Sequence, residues 1–271
     1  MLNGGIVSYN FTRDAFYDRK WNELTCTARG LFVDNASEKV ICRSYSKFFN
    51  WDEVEATRSE ALKQNLVFPV YAYKKENGFL AMVSYNWNSD ELLVCSKSTN
   101  SGDYAAMIRE QLDILGDKVK ARIKDFVKAN NCTLVFECVN MDKDPHIIKY
   151  NENHLYLLDI IKNSFNTERT AYSEIKNVAE SIGLECKELA YTFESFAELY
   201  AFKKEQDKSD DIRYEGWVFE DSNGFMVKYK TKFYKFWKVM RAIKNDMENG
   251  RTLKKNFVNE ATLTNTASSH T

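Results

Sequence analysis

A lysine acts as a nucleophile only after losing its proton, and at a reference pKa near 10.4 only about one part in a few thousand is neutral at pH 7. Lys75, in Lys75-Glu76-Asn77-Gly78, sits where this could change. The segment joins the end of one apolar run to the start of the next, so a tight glycine-containing turn between buried strands could aim the amine from a rigid base. Nearby cations or a metal must depress its pKa. Lys228-Tyr229-Lys230 supplies two cations. Side chains alternate along a strand, so both ammoniums share a face and could hold one phosphate while acting on Lys75. An exposed face with outward charges explains the same spacing. Glu137, inside Leu134-Val135-Phe136-Glu137-Cys138-Val139, interrupts an apolar run where an unpaired charge is costly. Glu215, in Tyr214-Glu215-Gly216-Trp217, is the second carboxylate. Such groups are either paired structurally or used as hydrogen-bond acceptors and metal partners.

These residues must be positioned by surrounding elements. Ala28–Asp34, Lys39–Arg43, Val67–Lys74, Phe79–Asn86, Leu92–Ser96, Thr133–Val139 and His154–Ile161 read as strands, with a turn at Asn88-Ser89-Asp90. Val54–Gln64 reads as a short helix. Asp103–Asn130 has the longest helical period, with Gly116 as a break. Tyr172–Ile182 and Phe193–Lys203 read as helices around a strand near Leu184–Ala190, and residues 205–212 as a loop. Trp217–Phe219 and Phe225–Tyr229 form a hairpin around Asp221-Ser222-Asn223-Gly224, and Lys232–Asn249 a last helix ended by Gly250. The pattern is α+β with a largely antiparallel sheet. Residues 1–250 are expected to form one domain, and 251–271 a polar, disordered tail.

Composition narrows the classes. At 271 residues and 44% hydrophobic the chain can bury a sizeable core. No apolar run is long enough for a membrane span, and the N-terminus lacks a secretory pattern. Most of the six cysteines, which include no C-x-x-C pair, fit small core residues of a reduced, cytoplasmic protein. With three histidines and no C-x-x-C pair, composition disfavours a His/Cys zinc site, and the metal expected is a hard cation held by carboxylates or phosphates. The net charge of -1 is uninformative, but from Lys228 to Lys255 ten Lys or Arg stand against two acids, interleaved with Tyr229, Phe233, Tyr234, Phe236 and Trp237. That fits phosphate contact and base stacking, or an amphipathic helix with a solvated basic face.

The ordered set of motifs resembles the covalent nucleotidyltransferases, specifically the tRNA-repair RNA ligases of T-even phage and the adenylyltransferase domain of fungal tRNA ligase. The strings are Thr27-Ala28-Arg29-Gly30-Leu31-Phe32, Ser46-Lys47-Phe48-Phe49-Asn50, Lys75-Glu76-Asn77-Gly78, Leu93-Val94-Cys95-Ser96-Lys97-Ser98, Phe136-Glu137, Glu215-Gly216 and Lys228-Tyr229-Lys230. Asp144-Pro145-His146-Ile147-Ile148 followed by Tyr150 also looks like bacterial and phage members. The resemblance runs over roughly residues 6–241. It implies a nucleotidyltransferase (ATP-grasp-like ligase) core of antiparallel sheets flanked by helices around a nucleotide cleft.

The resemblance also implies roles. Lys75 attacks the α-phosphorus of ATP to give lysyl-N-AMP. AMP then passes to an RNA 5′-phosphate and is displaced by an RNA 3′-hydroxyl. Lys228 and Lys230 contact the α-phosphate, Arg29 and Lys47 the triphosphate, and Phe49 packs on the adenine. The backbone at Tyr73 and Lys74 reads the adenine edge, with Gly78 and Lys97 near the nucleotide. Glu137 contacts the ribose or a metal-bound water, and Glu215 holds waters on Mg²⁺ or Mn²⁺. Asn77 departs from the commoner Asp and looks like the fungal enzymes. The substrates implied are ATP and RNA ends, single-stranded or tRNA-like. A separate end-healing kinase or phosphatase is the expected partner, since no G-x-x-x-x-G-K-[ST] occurs. Phage and fungal relatives carry a further C-terminal domain, whereas about forty residues follow Lys230 here, so a compact member or a trimmed chain is expected. A DNA ligase, a capping-type enzyme, or an RNA-end binding module without catalysis are the alternatives.

Overall fold

A computed structural model describes residues 2–250; the tail expected at 251–271 lies outside the described residues. In chain order the elements are β1 (Ile6–Tyr9), α1 (Arg13–Tyr17), α2 (Glu23–Thr27), β2 (Leu31–Asp34), β3 (Lys39–Arg43), β4 (Phe49–Asn50), α3 (Ser59–Asn65), β5 (Val70–Lys75), β6 (Phe79–Asn86) and β7 (Glu91–Ser96). They continue with α4 (Gly102–Leu115), α5 (Asp117–Asn130), β8 (Cys132–Val139), β9 (His154–Lys162), α6 (Tyr172–Ile182) and β10 (Glu185–Cys186). The last are β11 (Leu189–Phe193), α7 (Phe196–Lys208), β12 (Gly216–Glu220), β13 (Met226–Lys230) and α8 (Lys232–Glu248). The chain divides into two compact units.

The first unit holds residues 2–48, Gly78–Pro145 and Tyr150–Glu188. Its main sheet runs β10-β9-β8-β6-β7, antiparallel except for the β10–β9 pair. The 3.6-residue period of α4 and α5 puts Ile108, Leu112, Ile123 and Val127 into one core with Ala81, Val83, Leu134 and Phe136 from the strands. Gly116, at φ +88°, separates the two helices as its place in the sequence suggests. A smaller sheet, β1-β2-β3, is tied to the main one through polar side chains. The Arg43 N–H donates to Thr133 Oγ1 at 3.0 Å, and Ser84 Oγ donates to the Ile41 carbonyl at 2.6 Å.

The second unit holds Phe49–Asn77, His146–Lys149 and, among the described residues, 189–250. Its sheet runs β11-β5-β12-β13-β4, with only β13–β4 parallel. The two-residue period sorts this sheet into faces. Val70, Ala72, Trp217, Phe219, Val227 and Tyr229 are buried in one core with Leu62, Phe193 and Leu199. Tyr73, Lys75, Lys228 and Lys230 alternate with them and belong to the opposite face.

Several elements differ from the sequence reading. Lys75–Gly78 does join the end of β5 to the start of β6, as expected, but the two strands belong to different sheets. The strand expected from Ala28 begins at Leu31, since Glu23–Thr27 is helical behind an Asn22 cap whose side chain accepts the Thr25 N–H. The strand expected from Val67 begins at Val70, past Pro69, which has no N–H to give a ladder. The helix expected over Val54–Gln64 is a 3₁₀ turn, Glu55–Thr57, and then α3, parted by an extended Arg58. Phe193 ends a strand rather than starting a helix, and α7 continues to Lys208, into the expected loop. Tertiary partners hold those polar residues in the helix: Gln206 Oε1 accepts the Trp217 indole N–H at 3.1 Å, and Asp207 accepts the Tyr229 hydroxyl at 3.0 Å.

All six cysteines are free, and burial pushes the Cys132 and Cys138 thiols up to about 12, as expected of apolar core residues. Among the described residues no helix is long and apolar enough to cross a membrane.

Candidate active site

Strand register explains how the key side chains meet. Gly216 of β12 stands opposite Lys75 of β5 on one side and Lys230 of β13 on the other. The two lysines therefore share a face, separated by a residue without a side chain. A Cβ on Gly216 would stand 1.9 Å from the Tyr229 carbonyl oxygen, so the position accepts nothing larger. Glu215 lies one residue before and is 2% exposed. Its Oε1 receives Lys75 Nζ at 3.0 Å and Lys230 Nζ at 2.9 Å.

This triad has one negative and two positive members. Burial opposes ionisation of Glu215, yet the Lys75 and Lys230 ammoniums hold its carboxyl below the usual carboxylate value. Lys230 is likewise held below the usual lysine value, by burial first, while Glu215 opposes the shift and Lys75 adds to it. The cluster carries a net +1 around a buried carboxylate, so loss of one ammonium proton makes it neutral. A neutral amine held in such a cluster is a nucleophile in position.

Asn77 completes the cluster. Its Nδ2 donates to Glu215 Oε2 at 2.9 Å and lies 3.4 Å from the Tyr234 hydroxyl, while its Oδ1 accepts the Ile148 N–H at 3.2 Å. An aspartate here would set a second carboxylate against Glu215, which gives a physical reason for the Asn. Tyr234 places its ring 4.7 Å from Lys230 Nζ. Sequence reasoning counted Tyr234 only among the aromatics of the basic stripe; its contact with Lys230 follows from the turn at Thr231 that joins β13 to α8. The Thr231 N–H donates to the Glu215 carbonyl at 2.9 Å, and its hydroxyl caps α8 by accepting the Tyr234 N–H. Lys74 alternates away from this set and pairs with Glu76 at 3.1 Å. Tyr73 and Lys228 both stand opposite Val218, one row from the triad on the same face. Phe49 is half-buried in β4 opposite Val227.

In the first unit, Glu137 Oε1 accepts the Gly78 N–H at 2.9 Å. Gly78 is pressed so closely on β8 that a Cβ would stand 2.1 Å from the Cys138 carbonyl oxygen. Its φ is not in the left-handed region, so close approach and not backbone conformation requires the glycine. Gly78→Ala is expected to cost about 3 kcal/mol or more by overpacking, read as a lower urea midpoint; an unchanged midpoint contradicts this assignment. Arg29, Lys47 and Lys97 lie elsewhere in this unit, ringed by aromatics. Lys47 Nζ is 4.5 Å from the Trp21 ring centroid, and Lys97 Nζ is 4.7 Å from that of Phe11. The Arg29 and Arg169 guanidiniums stand 5.5 and 4.9 Å from the Tyr45 ring. Burial, then the Arg29 charge, holds Lys97 below the usual lysine value. Phe11, Trp21, Tyr45 and Arg169 were not singled out from the sequence; nothing in their spacing marked them.

No group of three or more His, Cys, Asp or Glu able to hold a metal occurs among the described residues. Both Glu215 oxygens already take N–H donors, so it does not fit a direct metal ligand. Carboxylates this sparse fit a hydrated divalent cation that arrives with a polyphosphate better than a metal caged by protein.

The fold is that of the nucleotidyltransferase-type ligases. An archaeal ATP-dependent RNA ligase superposes with a TM-score of 0.64 at 14% identity, over 87% of this chain and 60% of that one. A Naegleria gruberi RNA ligase solved with ATP and Mn gives a TM-score of 0.50 at 14% identity, over 70% of this chain and 57% of that one. The RNA ligase family model matches residues 27–234, and the chain belongs to that family. Among curated relatives, tRNA ligase 1 of Schizosaccharomyces pombe is 27% identical over 237 residues, which is 76% of this chain. The chain spans 30% of that relative's length.

Proposed function

We propose that this chain is an ATP-dependent RNA ligase adenylyltransferase that uses Lys75 as its nucleophile. The observation that carries the reading is the triad in which buried Glu215 holds the half-buried Lys75 and Lys230 at 3.0 and 2.9 Å. Family membership supports it, as does the order of the motifs.

Neutral Lys75 Nζ bonds to the α-phosphorus of ATP, the bond to pyrophosphate breaks, and the amine's remaining surplus proton passes to solvent. Lys230, with Lys228 on the same strand face, offsets charge on the α-phosphate. Glu215 fixes the direction of both triad lysines. Arg29, Lys47 and Lys97 are assigned to the phosphates, and Phe49 with the backbone of Tyr73 and Lys74 to the adenine. Glu137 is assigned to the ribose or a metal-bound water. A bound Mg²⁺ or Mn²⁺ supplies further charge neutralisation on the leaving phosphates. An RNA 5′-phosphate oxygen next attacks the adenylyl phosphorus, the P–N bond breaks and Lys75 is regenerated. Attack by an RNA 3′-hydroxyl on the activated strand then releases AMP. This chemistry needs an upstream kinase or phosphatase that leaves a 5′-phosphate and a 3′-hydroxyl.

The test is incubation with ATP, Mg²⁺ and an RNA strand bearing those ends. An adenylylated strand and then a joined strand are expected. Joining of nicked DNA but not RNA, or labelling by GTP in place of ATP, contradicts the proposal.

A further inference from the structure

Of the basic aromatic stripe singled out in the sequence, Lys228, Lys230 and Tyr234 belong to the site already described, and the part beyond Tyr234 has no role in the adenylylation chemistry. Most of it is α8, which starts at the triad. Tyr234 touches Asn77 and Lys230. From there, positions 237, 241 and 244 follow at helical spacing, with Lys238 beside them. All four side chains are exposed: Trp237 is 46% exposed, and the Lys244 side chain 73%. Lys244 has one acidic neighbour, Glu248, at a loose 3.7 Å. The Trp237 ring packs edge-on with Phe236 at 5.5 Å and lies 6.3 Å from Phe233, which leaves an accessible indole on a helix that also carries three exposed cations. The Lys238 charge is felt at Lys230, so the cationic run is continuous with the triad. From Tyr234 to Lys244 it rises about 15 Å along the helix.

We infer that the Trp237–Lys238–Arg241–Lys244 face of α8 is the docking surface for the single-stranded RNA whose end reacts at Lys75. Cations at this spacing meet successive phosphates, and an exposed indole gives a base a stacking platform without demanding a sequence. The polyanion is favoured over a protein partner by charge complementarity. The inference rests on the ligase reading above and names where its RNA is held.

The experiment measures binding of a 5′-phosphorylated single-stranded oligoribonucleotide by fluorescence anisotropy at several salt concentrations, alongside lysyl-AMP formation from ATP. Arg241→Ala with Lys244→Ala is expected to raise Kd and to lower the salt slope by about 1.4, the share of two phosphate contacts on a single strand. Trp237→Ala is expected to raise Kd about tenfold, and Trp237→Phe to restore most of it, because a phenyl ring still stacks. Lysyl-AMP formation should stay at the parent rate in all three. An unchanged Kd and slope overturn the inference while leaving the ligase reading intact. Lysyl-AMP formation that falls in step with RNA binding also overturns it, by assigning the face to the nucleotide. A parent that binds RNA through this face yet never forms an adduct upholds the surface and defeats the ligase reading instead.

Discussion

Lys75→Arg is expected to abolish lysyl-AMP formation as completely as Lys75→Ala, and the pair of results separates a nucleophile from a structural cation. A guanidinium keeps its charge at any accessible pH and can still pair with Glu215, but it cannot present a neutral amine. If Lys75 only supplied positive charge to the Glu215 carboxylate, arginine would preserve much of the activity. Both variants should still join a strand supplied already adenylylated, because that step needs no lysine nucleophile. Label from α-labelled ATP, followed on denaturing gels, reads the first outcome. Retained label in either variant removes Lys75 from the role.

Glu215→Gln is expected to have the largest effect on stability. The change keeps shape and one acceptor but leaves two ammoniums meeting without a counter-charge, and breaking a buried pair this way costs about 3–5 kcal/mol. The pH dependence gives a sharper signature. In the parent, the Glu215 carboxyl is held below its unfolded value of 4.5. Its contribution is therefore full above that value and is lost as pH falls through the lower folded one. The Gln variant lacks this acid-side loss. Lys230 is held below its unfolded value of 10.5, so between its folded value and 10.5 the unfolded chain binds more protons and stability rises with pH. Removing Glu215 removes the attraction that opposes that depression. The window then opens at lower pH, and alkaline conditions should rescue the variant more than they help the parent. Urea midpoints across a pH series test this; parallel curves for parent and variant contradict it.

What the sequence disclosed follows from which interactions are local. Gly116 between two apolar-periodic stretches marked the α4–α5 break, and Asp221–Gly224 marked the β12–β13 hairpin, because helix stops and tight turns are written in neighbouring residues. The start of α7 was also written locally, in Ser195-Phe196-Ala197-Glu198. The Ser195 hydroxyl accepts the Glu198 N–H and Glu198 reaches back to the Glu194 N–H, a capping arrangement that the aromatic run around Phe193 obscured. The far end of α7 could not be read, since Gln206 and Asp207 stay helical through partners on β12 and β13.

The site shows the same division. Alternation placed Lys228 and Lys230 on one face, and an isolated acid in an apolar strand drew attention to Glu137. The partner that Lys75 meets in register is Lys230, across Gly216, and that choice depends on strand order in the sheet. The contact between Gly78 and Cys138, and the link from Asn77 to Glu215, likewise join residues 60 or more positions apart. No local pattern encodes them. Arg29, Lys47 and Lys97 were found through the family resemblance, whereas the aromatic rings that hold them appeared only with the fold.

The most direct test is peptide-resolved mass spectrometry of the protein after incubation with ATP and Mg²⁺. Strand alternation sends Lys74 to Glu76 and Lys75 to Glu215, so the two neighbouring amines have different surroundings. The expected result is one AMP per chain, bonded to the side-chain nitrogen of Lys75. AMP on Lys74 or on any other residue, or a chain that never gains AMP, contradicts the account.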